Sequence, residues 1–112
     1  MASGDVFPKM LCAPTLLGTS TTTLFTVPTG RQWAVKQIIV CNTDGVERIF
    51  RLGYNGSVVT AGNCFVYQLP IAAYDTIVLD TAMVFEAGQT LQGYSDTASR
   101  VTVSVTGWER EI

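Results

Sequence analysis

Near the end of the chain, Val101, Val103 and Val105 alternate without a break with Thr102, Ser104 and Thr106. Successive side chains of a strand point to opposite faces, so a period of two with one apolar face specifies a half-buried strand. A helix would need apolar residues every three or four positions, and no window of this sequence sustains that spacing. The rest of the chain repeats the theme less cleanly. β-rich runs fall at residues 21–27, 32–41, 46–52, 64–69, 76–80, 83–86 and 90–94, each closed by a turn signal. About eight short strands with turns every ~8–12 residues predict an all-β fold, a β-sandwich or a jelly-roll-like barrel of antiparallel strands.

The turns are specific. Asn42-Thr43-Asp44-Gly45 stops the most apolar run, in which Ile38-Ile39-Val40 is apolar on both faces, and Asp-Gly tolerates the positive φ of a tight reversal. The runs on either side of Asp44-Gly45 are therefore expected to form a hairpin. Gly53-Tyr54-Asn55-Gly56 closes the next strand, and Val58-Val59 forms a further short one before Ala61. Two segments, Val27-Pro28-Thr29-Gly30 and Phe85-Glu86-Ala87-Gly88, both end a strand at glycine.

Residues 1–20 differ from the remainder. Pro8 and Pro14 interrupt the apolar pairs Val6-Phe7, Met10-Leu11 and Leu16-Leu17, and no period persists. Proline cannot donate to a β-ladder, so any strand here belongs at a sheet edge. The expected organisation is an extended N-terminal arm over 1–20 and a single β domain over 21–112. The six apolar residues of the arm, Val6, Phe7, Met10, Leu11, Leu16 and Leu17, are the candidate partner-binding residues, since they are too few to form a core of their own. Removing residues 1–17 is expected to leave the domain folded and weaken its attachment.

Of the 112 residues, 47% are hydrophobic and only 14% are charged, against about 25% charged in ordinary globular chains. Either a partner covers part of the surface, or neutral Thr, Ser, Asn and Gln supply its polarity. The seven basic residues are scattered and the net charge is −2. Phosphate binding needs clustered cations, so nucleic acid is not an expected partner. No apolar run reaches the roughly 20 residues of a membrane helix, so no membrane partner is expected. The first residues lack a basic stretch followed by an apolar core, which sets the expectation of synthesis in the cytoplasm and either retention there or departure by a route that the sequence does not encode.

Reactive chemistry has few places to reside. The chain has no histidine, which removes Ser-His-Asp and Cys-His arrangements. Cys12, Cys41 and Cys64 are three, widely spaced and without a C-x-x-C pair, so no zinc site is expected. Cys41 and Cys64 adjoin apolar runs and are expected to be buried and reduced. The nine acidic residues fall mostly at turns and the tail; Asp75 and Asp80 bracket a strand without forming a recognisable acid–base pair. No nucleotide loop and no calcium loop occurs. No catalytic residue, cofactor or metal is expected. Trp33, Tyr54, Tyr67, Tyr74, Tyr94 and Trp108 could form a sugar-stacking platform, or Trp33 and Tyr67 could fill the core while Tyr54 and Tyr94 decorate strand ends.

The stretch from Phe25 through Val27-Pro28-Thr29-Gly30, Trp33 and Ile38-Ile39-Val40 to Asn42-Thr43-Asp44-Gly45 resembles the opening of small structural proteins of tailed bacteriophages. Residues 76–91 and the ending Val101-Thr102-Val103-Ser104-Val105-Thr106-Gly107-Trp108-Glu109 look like two further pieces of the same proteins, and together the likeness spans roughly residues 21–109. The resemblance implies a virion component made in the host cytoplasm: a capsid decoration protein that stabilises the mature shell, a head fibre or a minor tail protein. It also implies a homo-oligomer, a trimer being favoured by lattice threefold sites, with the major capsid protein or another virion protein as partner. The alternative from a different class is a glycan-binding or adhesion module.

Overall fold

In a computed structural model the described residues are 6–54 and 62–112. Asn55-Gly56, Val58-Val59 and Ala61 lie outside them. Among the described residues there are eight strands, β1 (Val6–Leu16), β2 (Thr22–Thr26), β3 (Arg31–Asn42), β4 (Arg48–Tyr54), β5 (Cys64–Ile71), β6 (Thr76–Phe85), β7 (Thr90–Ser95) and β8 (Val101–Glu111), and no helix.

The strands form two four-stranded sheets in the orders β1-β8-β3-β6 and β2-β7-β4-β5, with antiparallel pairing throughout. First pairs with last, second with seventh, third with sixth and fourth with fifth. This nesting is that of a ribbon folded once and wound into a jelly roll, the sandwich expected from the alternating runs. The two glycine turns after β2 and β6 lie side by side in it. Val27 and residues 88–89 exchange backbone hydrogen bonds of 2.9 and 3.0 Å, and Gly30 and Gly88 take the positive φ angles of 80° and 86° that the turns require.

The valines of β8 do what their spacing dictates. Val101, Val103 and Val105 are fully buried, in one apolar cluster with Ile38, Val40, Phe50, Leu52, Phe85 and Leu91. Val103 sits opposite Val40 and Val105 opposite Ile38 in β3. The outward residues Thr102, Ser104 and Thr106 are half-buried.

Three expectations change. Asp44-Gly45 does not close a hairpin, because β3 lies in the first sheet and β4 in the second. The connection is a crossover pinned by Asn42. Its buried amide donates to the carbonyls of Val46, Ile71 and Ala72 (2.9, 3.1 and 3.2 Å), and its Oδ1 accepts from the Asp44 backbone N–H at 2.9 Å. Those bonds turn the chain out of its own sheet. Next, residues 76–80 and 83–86, read as two runs, are the single strand β6, which bulges where Val35 opposes Met83 but Gln37 opposes Asp80. The Thr81 hydroxyl donates to the Val35 carbonyl there, at 2.8 Å.

Thirdly, the N-terminal segment is built into the sandwich from Val6 onward. β1 is an edge strand, as Pro8 and Pro14 require, and pairs with β8 through two register shifts. Those shifts place the neighbours Leu11 and Cys12 both inward, at 6% exposure each. Leu17 is 1% exposed and its N–H reaches the Val101 carbonyl at 2.8 Å. Burying two leucines contributes roughly 1.5–3 kcal/mol each. Loss of residues 1–17 would therefore open the core and uncover β8, not detach an independent arm.

Candidate functional site

In an antiparallel pair, directly opposed residues project from the same face. The register of the first sheet therefore gives its outer surface row by row. Val6 opposes Arg110, which opposes Gln32; Pro8 opposes Trp108, then Ala34, then Val84; Met10 opposes Thr106 and Gln37. Farther along, Ser104 opposes Ile39 and Val78, and Leu16 opposes Thr102, Cys41 and Thr76. Six of the ten large hydrophobic residues exposed among those described lie on this one face: Val6, Met10, Leu16, Val78, Val84 and Trp108. Trp108 is 42% exposed and Val84 52%.

An antiparallel sheet with one solvated face normally reads apolar inward and polar outward. The first sheet breaks that rule and the second keeps it. On the outer side of the second sheet stand Thr23, Gln92, Arg51 and Tyr94. There the Arg51 guanidinium packs over the rings of Tyr67 and Tyr94 at 4.6 and 4.7 Å, and its Nε donates to Gln68.

The centre of the apolar face is a shallow groove of about 430 Å³, lined by Pro8, Met10, Lys36, Thr106 and Trp108 among others. β3 bulges beside it, so that Lys36 and Gln37 both point outward. Lys36, Asp80 and Arg110 are charged residues on the face; Gln37 donates to Asp80 at 3.3 Å, and at the margin Gln32 donates to Glu86 at 2.7 Å. Beneath the Trp108 row the inward Glu109 carboxylate accepts from Trp33 Nε1 at 2.9 Å, with Arg31 at 3.6 Å and Lys9 at 3.9 Å. This charge, 7% exposed, is paired from β1 and β3, so it ties three strands together at the end that carries Trp108.

The six arm residues separate into two groups. Val6, Met10 and Leu16 are on the outer face. Leu11 and Leu17 are in the core, and Phe7 is half-buried on the inward side, opposite Glu109. The reading of the sequence missed Trp108, Val78 and Val84 as their neighbours. A signal existed: Ile77-Val78-Leu79, like Ile38-Ile39-Val40, is apolar on both faces, the pattern of a sheet covered on both sides.

The aromatic residues do not make one platform. Trp33 packs edge-on to Phe25 at 5.0 Å and Tyr54 against Phe85 at 5.2 Å, both at the core. Tyr67, expected inside, is 49% exposed. Tyr74 stands alone at 75% exposure, against Gly45. The three cysteines are free; Cys12 is buried, while Cys41 and Cys64, expected to be buried, are half-buried. Among the described residues no three His, Cys, Asp or Glu side chains come together as metal ligands would.

No protein-family profile and no curated protein matches this sequence. Solved structures do match in backbone. A chain of infectious bursal disease virus, Gx strain, aligns at a TM-score of 0.53 and 12% identity over 96% of this chain, which spans only 32% of the viral one. A chain of Bacillus endospore appendages, described as disulfide-linked pili, aligns at 0.53 and 10% identity over 99% of this chain and 92% of its own. A pentameric capsid protein from metagenomic phage sequences shares 20% identity over 88% of this chain and 60% of its own, at a TM-score of 0.42. The first two share the sandwich fold with this chain; the third is too distant in backbone to add to that.

Proposed function

We propose that this chain is a non-enzymatic structural subunit of a bacteriophage virion, a decoration protein that associates with the mature capsid shell, and that the outer face of its first sheet is buried in the assembled particle. One observation carries the reading: a packed sandwich gathers six of its ten exposed large hydrophobic residues on one sheet face, and among the described residues no cluster of metal-ligating groups stands beside them. An apolar area of that kind marks an interaction surface. The sandwich shared with a chain of a virus particle and a chain of a pilus suits a repeated building block, a fold-level analogy. Decoration would work by mass action, since a protein that binds only the mature shell stabilises that shell by RT ln(1 + [L]/Kd). Self-association belongs to the same reading.

Co-sedimentation of the purified protein with mature shells, immature shells and isolated tails tests it. Saturable binding to mature shells is expected. Binding confined to tails would make it a minor tail protein. Retention on a glycan array with no particle binding would make it an adhesion module, the exposed Tyr67 and the half-buried Tyr94 then being the first residues to substitute.

A further inference from the structure

We propose that the outer face of the first sheet is covered by a second copy of this chain, in a two-fold, face-to-face pair. This rests on the reading that the face is buried in the working assembly, and names its occupant.

The face has the area, the composition and the shape for self-pairing. Four strands about 4.8 Å apart and about ten residues long at about 3.3 Å each present roughly 600 Å² per copy. Two copies would bury about 1,200 Å², the lower limit of specific, stable interfaces. The charged residues of the face, Lys36, Asp80 and Arg110, stand outside the apolar row of Pro8, Trp108, Ala34 and Val84, and a central strip without charge is what distinguishes the core of an interface from ordinary surface.

Shape supplies the geometry. Row two reads Pro8, Trp108, Ala34, Val84 across the four strands, so the largest side chain of the face stands beside one of the smallest. A two-fold axis parallel to the strands, running between β8 and β3, lays each Trp108 over the Ala34 of the other copy. It also lays each Pro8 over the other Val84. Two-fold interfaces are self-complementary in this way, residue i meeting j and j meeting i. Face-to-face sheets pack about 10 Å apart, a gap that an indole over an alanine fills and an indole over an indole overfills. On the outer face of the second sheet the exposed aromatic residue, Tyr67, is instead packed against the Arg51 guanidinium of its own sheet.

The test is the mass of the full chain alone, by sedimentation equilibrium across a concentration series, with thermal unfolding confirming that each variant folds. Wild type is expected to reach a dimer. Trp108→Ala is expected to weaken dimerisation roughly 30-fold or more, as loss of a central interface tryptophan does. Ala34→Trp is expected to weaken it as well. The double variant, Trp108→Ala with Ala34→Trp, exchanges knob and recess and is expected to recover to within a few-fold of wild type. Thr23→Asp, on the other sheet, should leave the dimer unchanged. A monomer at every concentration, a trimer, a dimer indifferent to Trp108→Ala, or a double variant no better than the single ones would overturn the pairing. Particles are absent from the measurement, so the two readings fail separately. A dimer that binds no shell sinks only the virion role, and a monomer that binds shells sinks only the pair.

Discussion

Gly107 should reject alanine, against the usual sign of that substitution. Glycine inside a strand is destabilising, and replacing it where the backbone permits gains about 0.4–1 kcal/mol through the unfolded chain. Here a Cβ on Gly107 would fall well inside van der Waals contact of the Ala34 carbonyl oxygen and 3.0 Å from Leu11 Cδ1. The first obstacle is backbone of the central pair β3–β8, held on both sides by ladder hydrogen bonds, so it cannot rotate away as a side chain tip would. Overpacking of this kind costs about 1–3 kcal/mol, which exceeds the entropic gain. Gly18 supplies the control, since a Cβ there meets nothing within 4 Å and its φ is not positive. Urea denaturation should show Gly18→Ala at or slightly above wild type. Gly107→Ala should fall below it by about 1–2 kcal/mol, or a thermal midpoint lowered by roughly 4 °C per kcal/mol. Because Gly107 precedes Trp108, and Ala34 faces Trp108 across the ladder, the same variant should also disturb self-association. A Gly107→Ala protein as stable as Gly18→Ala would refute the close approach of β3 to β8.

Val103→Asp should abolish folding, since a carboxylate at a fully buried position of the central strand costs several kcal/mol, whereas Thr102→Asp on the outer face should still fold; equal outcomes in a circular dichroism melt would mean the register is shifted by one. Native-state thiol labelling followed by mass spectrometry should modify Cys64 before Cys12, which is 6% exposed, whereas Cys41, on the outer face of the first sheet, should label readily only at concentrations where the pair dissociates. The Arg48 side chain, hydrogen-bonded to Asp44 at 2.7 Å, holds the Asp44 carboxyl below the usual carboxylate range. A depressed folded-state value stabilises above the unfolded one, near 3.9, and that gain is lost as pH falls through the folded value. Wild type should therefore exceed Asp44→Asn in stability at pH 6, and the gap should narrow as acid protonates the carboxylate; a gap unchanged by acid would assign the effect to geometry instead of charge.

The parts of the fold legible in the sequence are those fixed by local alternation. Val101, Val103 and Val105 announce a face, and glycines 30 and 88 announce turns, because side-chain direction and φ are decided within a few residues. Sheet membership is not decided there. Asn42-Thr43-Asp44-Gly45 carries the residues of a hairpin, yet Asn42 reaches the carbonyls of Ile71 and Ala72, nearly thirty residues away in sequence, and that distant contact sends β4 into the other sheet. β1 was hidden for a related reason. Its bulges break the period of two, so Leu11 and Cys12 face inward together, and a strand without a period reads as an arm.

The candidate face shows the same division. Val6, Met10 and Leu16 are visible as apolar residues in a segment unable to form a core. Trp108, Val78 and Val84 are not visible as their companions, because β6, β3, β8 and β1 become neighbours only through pairings that span most of the chain. The composition offers two possibilities, a covered surface or a neutral polar one, and the two sheets differ in the outer surface that they present. The outside of the second sheet is the more polar, carrying Thr23, Gln92 and Arg51. The more apolar one is the outside of the first, where Ile39 in β3 and Val78 in β6 project outward from strands whose inward residues Ile38 and Val40 fill the core. The core between the sheets keeps the chain folded whatever the outer faces carry, and under the proposed pairing the difference between those faces is what directs association to the first sheet.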